Sequence, residues 1–256
     1  MFLGVNIDHI AVLREARKIN DPNFLEAALV ASKHCDQITL HVREDRRHAH
    51  EKDLEDILTH CPCVVNLECA ASKEMIELAC KLKPSRITLV PEKRQELTTE
   101  GGLKIEPQKL QKVVETLHAN DIEVSLFIDA NAEDIKKAQL LKADFIELHT
   151  GHFANIYSAL HTNILKTPYK ISALDLPRTK LQKLLDDELE RLQEATKLAQ
   201  SLGLKVAAGH GLNYKNVHLI TQIQGICELN IGQSIIARAV FVGLKEAILE
   251  MKACMK

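Results

Sequence analysis

The sequence has no excess of charge of either sign. Its 33 Lys and Arg stand against 35 Asp and Glu, mixed along the chain, for a net charge of −2. Such a pattern gives no global field for nucleic acid or an anionic membrane, so a bound anion must be held by a local site. There is no basic stretch ahead of a long apolar run. The opening MFLGVNIDHI meets Asp8 too early for a signal peptide or a membrane span, and a cytoplasmic protein is expected. The seven cysteines lack metal-ligand spacing: Cys61 and Cys63 form CPC, and Cys35, Cys69, Cys80, Cys227 and Cys254 are scattered. An odd count cannot pair completely, and reduced core thiols are the expectation. Walker loops, GxGxxG turns, low-complexity tracts and interdomain linkers are all missing. The whole of 1–256 therefore reads as a single domain.

What the chain does have is alternation. Short β-branched and aliphatic runs occur at 2–7, 37–42, 64–68, 86–90, 123–128, 145–148, 205–208 and 228–231. Helical periodicity fills 23–33, 53–60, 72–82, 108–120, 132–141, 181–202, 214–220 and 234–255. Asp21-Pro22 precedes the first of these, and Ser72 and Asn131 stand at the starts of others. Eight strand–helix units in about 250 residues fit a closed (β/α)8 TIM barrel with parallel strands and right-handed crossovers. A doubly wound open sheet is the alternative, but NIDHIAVLREA after the first strand is no dinucleotide turn. The 151–180 stretch breaks the pattern. It holds two prolines and no sustained period, and is expected as an extended connection after strand 6, without one stable helix, either over or beside the mouth or as a surface insertion or subunit contact. Tyr157, Ile164, Leu165, Tyr169 and Ile171 are its candidates for packing on the rim.

Barrels place their chemistry at the C-terminal strand ends. Those ends carry Asn6, Asp8 and His9, then His41, Arg43 and His48, then Glu68, Glu92, Asp129, Glu147, His210 and Gly232, whereas the strand interiors read as almost wholly apolar. His41 in HVREDRRH continues a strand. With Glu68, Glu147 and His210 it makes an acid–base set able to move several protons near neutral pH. Glu44, Asp45, Arg46 and Arg47 read equally well as a solvated loop, and His149 and His152 as packing residues. The glycines of GHGL and NIGQS follow strands seven and eight, the usual phosphate position, where bare backbone N–H groups meet an oxyanion. Arg17, Arg43 and His48 are candidates for a second cationic pocket. His48 and His50 lie in a loop with no matching pair at a strand end, so no metal is expected. These features alone leave open a phosphosugar isomerase or aldolase and a non-catalytic metabolite-binding barrel.

GVNIDHIAVLREAR, ITLHVREDRRH, VNLE, LVPEKRQELTTEGG, VSLFIDA, FIELHTG, AAGHGL and LNIGQSIIARAV, taken together, resemble the pyridoxine 5′-phosphate synthase family across nearly all strand ends. The resemblance implies a homo-octamer of (β/α)8 barrels that uses no metal or organic cofactor. It implies condensation of 3-amino-2-oxopropyl phosphate with 1-deoxy-D-xylulose 5-phosphate. By motif position, Asn6, Asp8, His9, Arg43, His48 and Thr98 would contact the deoxyxylulose phosphate, and Arg17, Gly211, Gly232 and Gln233 the amino-ketone phosphate. His41 and Glu68 would form the acid–base pair, with His210 a proton donor and Glu147 a group that stabilises attacking or departing water. The family pattern has Gly-His where this chain has Gly232-Gln233. Its connection after strand six is usually shorter.

Overall fold

The computed structural model describes residues 1–92 and 101–256; Thr98 lies outside the described residues. Eight parallel strands close into a barrel in sequence order. They are β1 (Phe2–Asn6), β2 (Gln37–His41), β3 (Val64–Cys69), β4 (Arg86–Leu89), β5 (Glu123–Ile128), β6 (Phe145–His149), β7 (Lys205–Gly209) and β8 (Ile226–Ile231). Around them run α1 (Asp8–Arg17), α2 (Phe24–Ser32), α3 (Glu51–His60), α4 (Lys73–Leu82), α5 (Pro107–His118) and α6 (Ala132–Leu140). The ring continues through α7 (Gly151–His161), α8 (Arg178–Ser201), α9 (Val217–Thr221), α10 (Gln233–Val242) and α11 (Leu244–Cys254).

Period-2 alternation explains the layering. Leu3, Val5, Ile38, Leu40, Val65, Leu67, Ile87 and Leu89 are almost wholly buried with the helices, each worth roughly 1.5–3 kcal/mol of transfer free energy. The residues between them include the buried polar Thr39, Asn66 and Thr88, which corrects the expectation of apolar strand interiors. Arg86 on β4 donates to both carboxylate oxygens of Glu228 on β8 at 2.9 and 2.8 Å. Gln37 on β2 donates to Glu228 at 3.1 Å and to Asn230 at 3.0 Å. Those strands are not neighbours, so the bonds cross the lumen. Hydropathy averaged along a strand hides this, because every second residue is aliphatic. Most of these buried polar groups satisfy one another; Gln37 Oε1 and Asn66 Nδ2 have no hydrogen-bond partner among the described residues. Arg86 also lies 3.6 Å from the Phe145 ring centroid, a cation–π contact.

Several helix boundaries differ from expectation. α1 begins immediately after β1, in a stretch with no expected helix; its Asp8, Ile10, Ala11 and Arg14 face inward. The first expected helix is capped by Asn23, which accepts from the Glu26 N–H at 3.0 Å. Asn131 caps α6 as expected, accepting from Asp134 at 2.8 Å. α9 starts late because Asn213 and Asn216 bond the local backbone instead. The expected final helix is two, broken at Gly243 with φ +83°.

The stretch expected to lack a stable helix starts with one. α7 buries Phe153, Ile156 and Leu160 on one face, a helical spacing obscured by a glycine start and by the prolines beyond. Two short 3-10 turns, Ile164–Lys166 and Ser172–Leu174, follow before α8. Tyr157, Ile164 and Leu165 pack against the core, whereas Tyr169 and Ile171 are exposed. The Tyr157 hydroxyl donates to the Lys215 carbonyl at 2.8 Å, tying α7 to the connection after β7.

Candidate active site

A cavity of about 400 Å³ opens at the C-terminal end of the barrel. Its walls include Asn6, Asp8, His9, His41, Arg43, His48, Glu68, Glu147, His210, Gly211, Gly232 and Gln233. Twelve of the fourteen candidates thus meet in one space. Thr98 is outside the described residues. Arg17 is exposed in the last turn of α1 and does not line the cavity. The buried arginine of that helix is Arg14, which donates to Asp53 at 2.6 and 2.9 Å and to the His48 carbonyl at 2.8 Å.

Register puts His41 directly beside Glu68 on β2 and β3. The His41 backbone N–H donates to Asp8 at 2.8 Å, and the Asp8 N–H donates to the Asn6 side chain at 2.9 Å. Asn6 in turn donates to Asp8 at 3.0 Å and to Glu68 at 3.5 Å. Burial pushes the Glu68 carboxyl well above the usual range, helped by the charges of Glu147 and Asp8. Burial likewise raises Glu147 to about 8, against the hydrogen bond from Asn230 at 2.8 Å. Gly209 leaves room for this group, since a Cβ there would lie 2.1 Å from Glu147 Oε1.

Three of the imidazoles, His9, His48 and His210, move the other way. Burial, and secondarily the neighbouring His149, depress His210 to about 4. Burial lowers His9 and His48 too. His9, His48 and His210 are therefore held neutral in the free site at neutral pH, beside at least one protonated carboxyl.

The carboxyl shifts predict a stability profile. Glu147 binds a proton in the folded state up to about pH 8 but is ionised in the unfolded chain, so stability falls as pH rises toward that value. Unfolded-chain histidine is still half protonated near pH 6.5 and is largely neutral only by about pH 7.5, so the slope from there to about pH 8 reports the carboxyls. Glu147→Gln should flatten that slope in urea-unfolding midpoints. An unchanged slope would place the raised carboxyl elsewhere.

Phosphate chemistry has its own wall. α10 opens at Gly232, Gln233 and Ser234, offering first-turn N–H groups and the positive end of a helix dipole. Gly211, at φ +81°, lies across from it; a Cβ there would sit 2.6 Å from that of Ala154.

Three residues left out of the expected set take part in the architecture. Glu92 meets His41 Nε2 at 2.9 Å. Asn230 holds Glu147. His149, set aside as a packing residue, shares a hydrogen bond with Asp129 at 3.1 Å and packs edge-on to His210 with ring centroids 4.9 Å apart. The signal for Glu92 and His149 was their position at strand ends; for Asn230 the sequence holds none, because its partner sits two strands away.

Buried carboxyls, imidazoles and a helix N-terminus facing one barrel mouth define a (β/α)8-barrel enzyme built for acid–base chemistry on an anionic small molecule. The fold alone is widespread. The chain superposes with TM-score 0.62 at 14% identity on a 3-hexulose-6-phosphate synthase structure, covering 100% of both chains. A KGPDC structure from Streptococcus mutans gives 0.63 at 10% identity, over 99% of this chain and 96% of that one. Sequence is far more selective. The family described as "Pyridoxal phosphate biosynthesis protein PdxJ" matches residues 3–256, and this chain belongs to it. The pyridoxine 5′-phosphate synthase of Campylobacter lari is 67% identical over 100% of both chains. That of Aliarcobacter butzleri is 56% identical, over 100% of this chain and 99% of its own.

Proposed function

We infer that this chain catalyses the pyridoxine 5′-phosphate synthase reaction: 3-amino-2-oxopropyl phosphate and 1-deoxy-D-xylulose 5-phosphate condense to pyridoxine 5′-phosphate, releasing phosphate and water. The observation that carries it is the convergence of His41, Glu68, Glu147 and His210 with the α10 N-terminus in a single cavity, in a chain of this family. Joining an amine to a ketone, expelling water and phosphate, and aromatising a ring all require proton movement on one bound framework. Several tuned acid–base groups serve that sequence better than one strong base.

In this scheme Glu68 and His41 take protons from carbon, and Glu147, protonated in the free site, supplies or retains the proton of attacking and departing water. His210 delivers a proton to a leaving group. A phosphate dianion bound near Gly211 and Gly232 favours the imidazolium, so the amino-ketone substrate itself loads the donor. Asn6, Asp8, His9, Arg43 and His48 receive the deoxyxylulose phosphate. The exposed position of Arg17 supports no contact in the isolated chain.

The scheme extends to assembly and location. α1 packs against α10, and α10 exposes Val240 and Phe241 by 71% and 82%. Exposed apolar side chains on adjoining helices support association of copies of this chain, with a homo-octamer as the proposed state. All seven cysteines are unpaired, in keeping with a cytoplasmic site, and among the described residues no helix is long and apolar enough to cross a membrane.

The test is an assay with purified enzyme, following the near-ultraviolet absorbance of the product and released phosphate. Both should require the two substrates together. Turnover of 1-deoxy-D-xylulose 5-phosphate alone would instead indicate an isomerase or aldolase. In the same assay Gln233→His should stay within about threefold of the parent in KM for the amino-ketone, because both side chains offer an N–H of similar reach. Abolished activity would mean that the amide makes a contact imidazole cannot.

A further inference from the structure

Glu92 follows β4 and turns its carboxylate onto the catalytic side of the neighbouring strands. Its side chain is 6% exposed. Oε1 lies 2.9 Å from His41 Nε2 and accepts from the Ala70 backbone N–H at 3.2 Å. Oε2 accepts from the Glu44 N–H at 3.1 Å. Burial alone would raise this carboxyl, but the hydrogen bond and charge of His41, with Glu44 N–H and Arg43, outweigh it and hold Glu92 below its ordinary range. The group is therefore a carboxylate, which can only accept hydrogen bonds.

We propose that Glu92 is a positioning residue that fixes the tautomer of His41, holding the hydrogen on Nε2 and leaving Nδ1 as the basic nitrogen for the ring-closing reaction. The inference rests on His41 acting as a base, as argued above. An acceptor-only partner admits no alternative: whether the ring is neutral or charged, the nitrogen facing Glu92 carries a hydrogen. The other restraint on His41 acts on its backbone, through Asp8, and does not select a ring nitrogen. Among the described residues, His48, with its ring centroid 6.1 Å away, and Glu68, Asp8 and Arg43 are further titratable or charged groups around it. Glu92 does not line the cavity, so it acts through His41.

Glutamine at 92 preserves shape but offers one acceptor oxygen to three donors, and its amide can pair with a bare Nε2, moving the hydrogen to Nδ1. Glu92→Gln should lower kcat on the order of 10²-fold while each KM stays within about threefold. Histidine ¹⁵N NMR of the full enzyme, with His41 assigned by its loss in His41→Asn, should show Nε2–H in the parent and a shift toward Nδ1–H in Glu92→Gln. An Nδ1–H tautomer in the unsubstituted enzyme overturns the proposal, and that result does not depend on Glu92→Gln folding. So does a Glu92→Gln kcat near the parent's, or a raised KM with the tautomer intact, which would make Glu92 a brace for the 43–48 loop. His41→Asn separates the two levels: retained activity there removes His41 as a base, whereas its loss beside an active Glu92→Gln removes only the role of Glu92.

Discussion

Glu68→Gln should lower kcat by ~10²–10⁴-fold, the usual contribution of a positioned general acid or base, while KM for both substrates changes little. Glu68 lies beside His41 in strand register, in a site where burial and the Glu147 and Asp8 charges raise its proton affinity. A carboxylate so raised is a stronger base at working pH than one in water. Glutamine keeps the volume and can still accept from Asn6, so the change removes proton chemistry and little else. In the proposed scheme affinity comes from phosphate contacts elsewhere in the mouth. A variant with normal kcat and much weaker binding would make Glu68 a substrate anchor, and the proton steps would pass to His41, Glu147 and His210.

Gly232→Val should raise KM for the amino-ketone phosphate about 10- to 100-fold, the loss of one charge-assisted hydrogen bond from a phosphate oxygen. Even a Cβ at 232 would stand 3.0 Å from the Cβ and the carbonyl oxygen of Asn6, and valine adds two methyls at the entrance to α10. The N-terminal N–H groups would be displaced or covered. Steady-state kinetics with each substrate varied in turn checks this. Should KM rise only for deoxyxylulose phosphate, the two phosphate sites are assigned the wrong way round.

Much of the frame was legible in the sequence, because a parallel strand buried on both sides leaves a compact apolar signature and the polar residue closing it marks the mouth. His41 and Glu68 could be placed together on that basis alone, each at the end of its own strand. Helix ends were less legible. Nothing in local spacing announces that Asn213 and Asn216 capture their own backbone, or that Gly243 divides the last helix. α7 was hidden because its buried Phe153, Ile156 and Leu160 lie in a stretch read as a whole. Contacts across the lumen were the least legible. Asn230 finds Glu147, and Arg86 finds Glu228, only once the barrel closes.

The central claim is that His41 and Glu68 move protons as one unit on a single bound framework. A double-mutant cycle in kcat tests it, using His41→Asn, Glu68→Gln and the pair, with product formation from both substrates as the readout. Groups that act together are not additive, so the double variant should lose far less than the product of the two single losses. Strict multiplication of the two effects, with KM unchanged throughout, would contradict the account and assign the residues to separate steps.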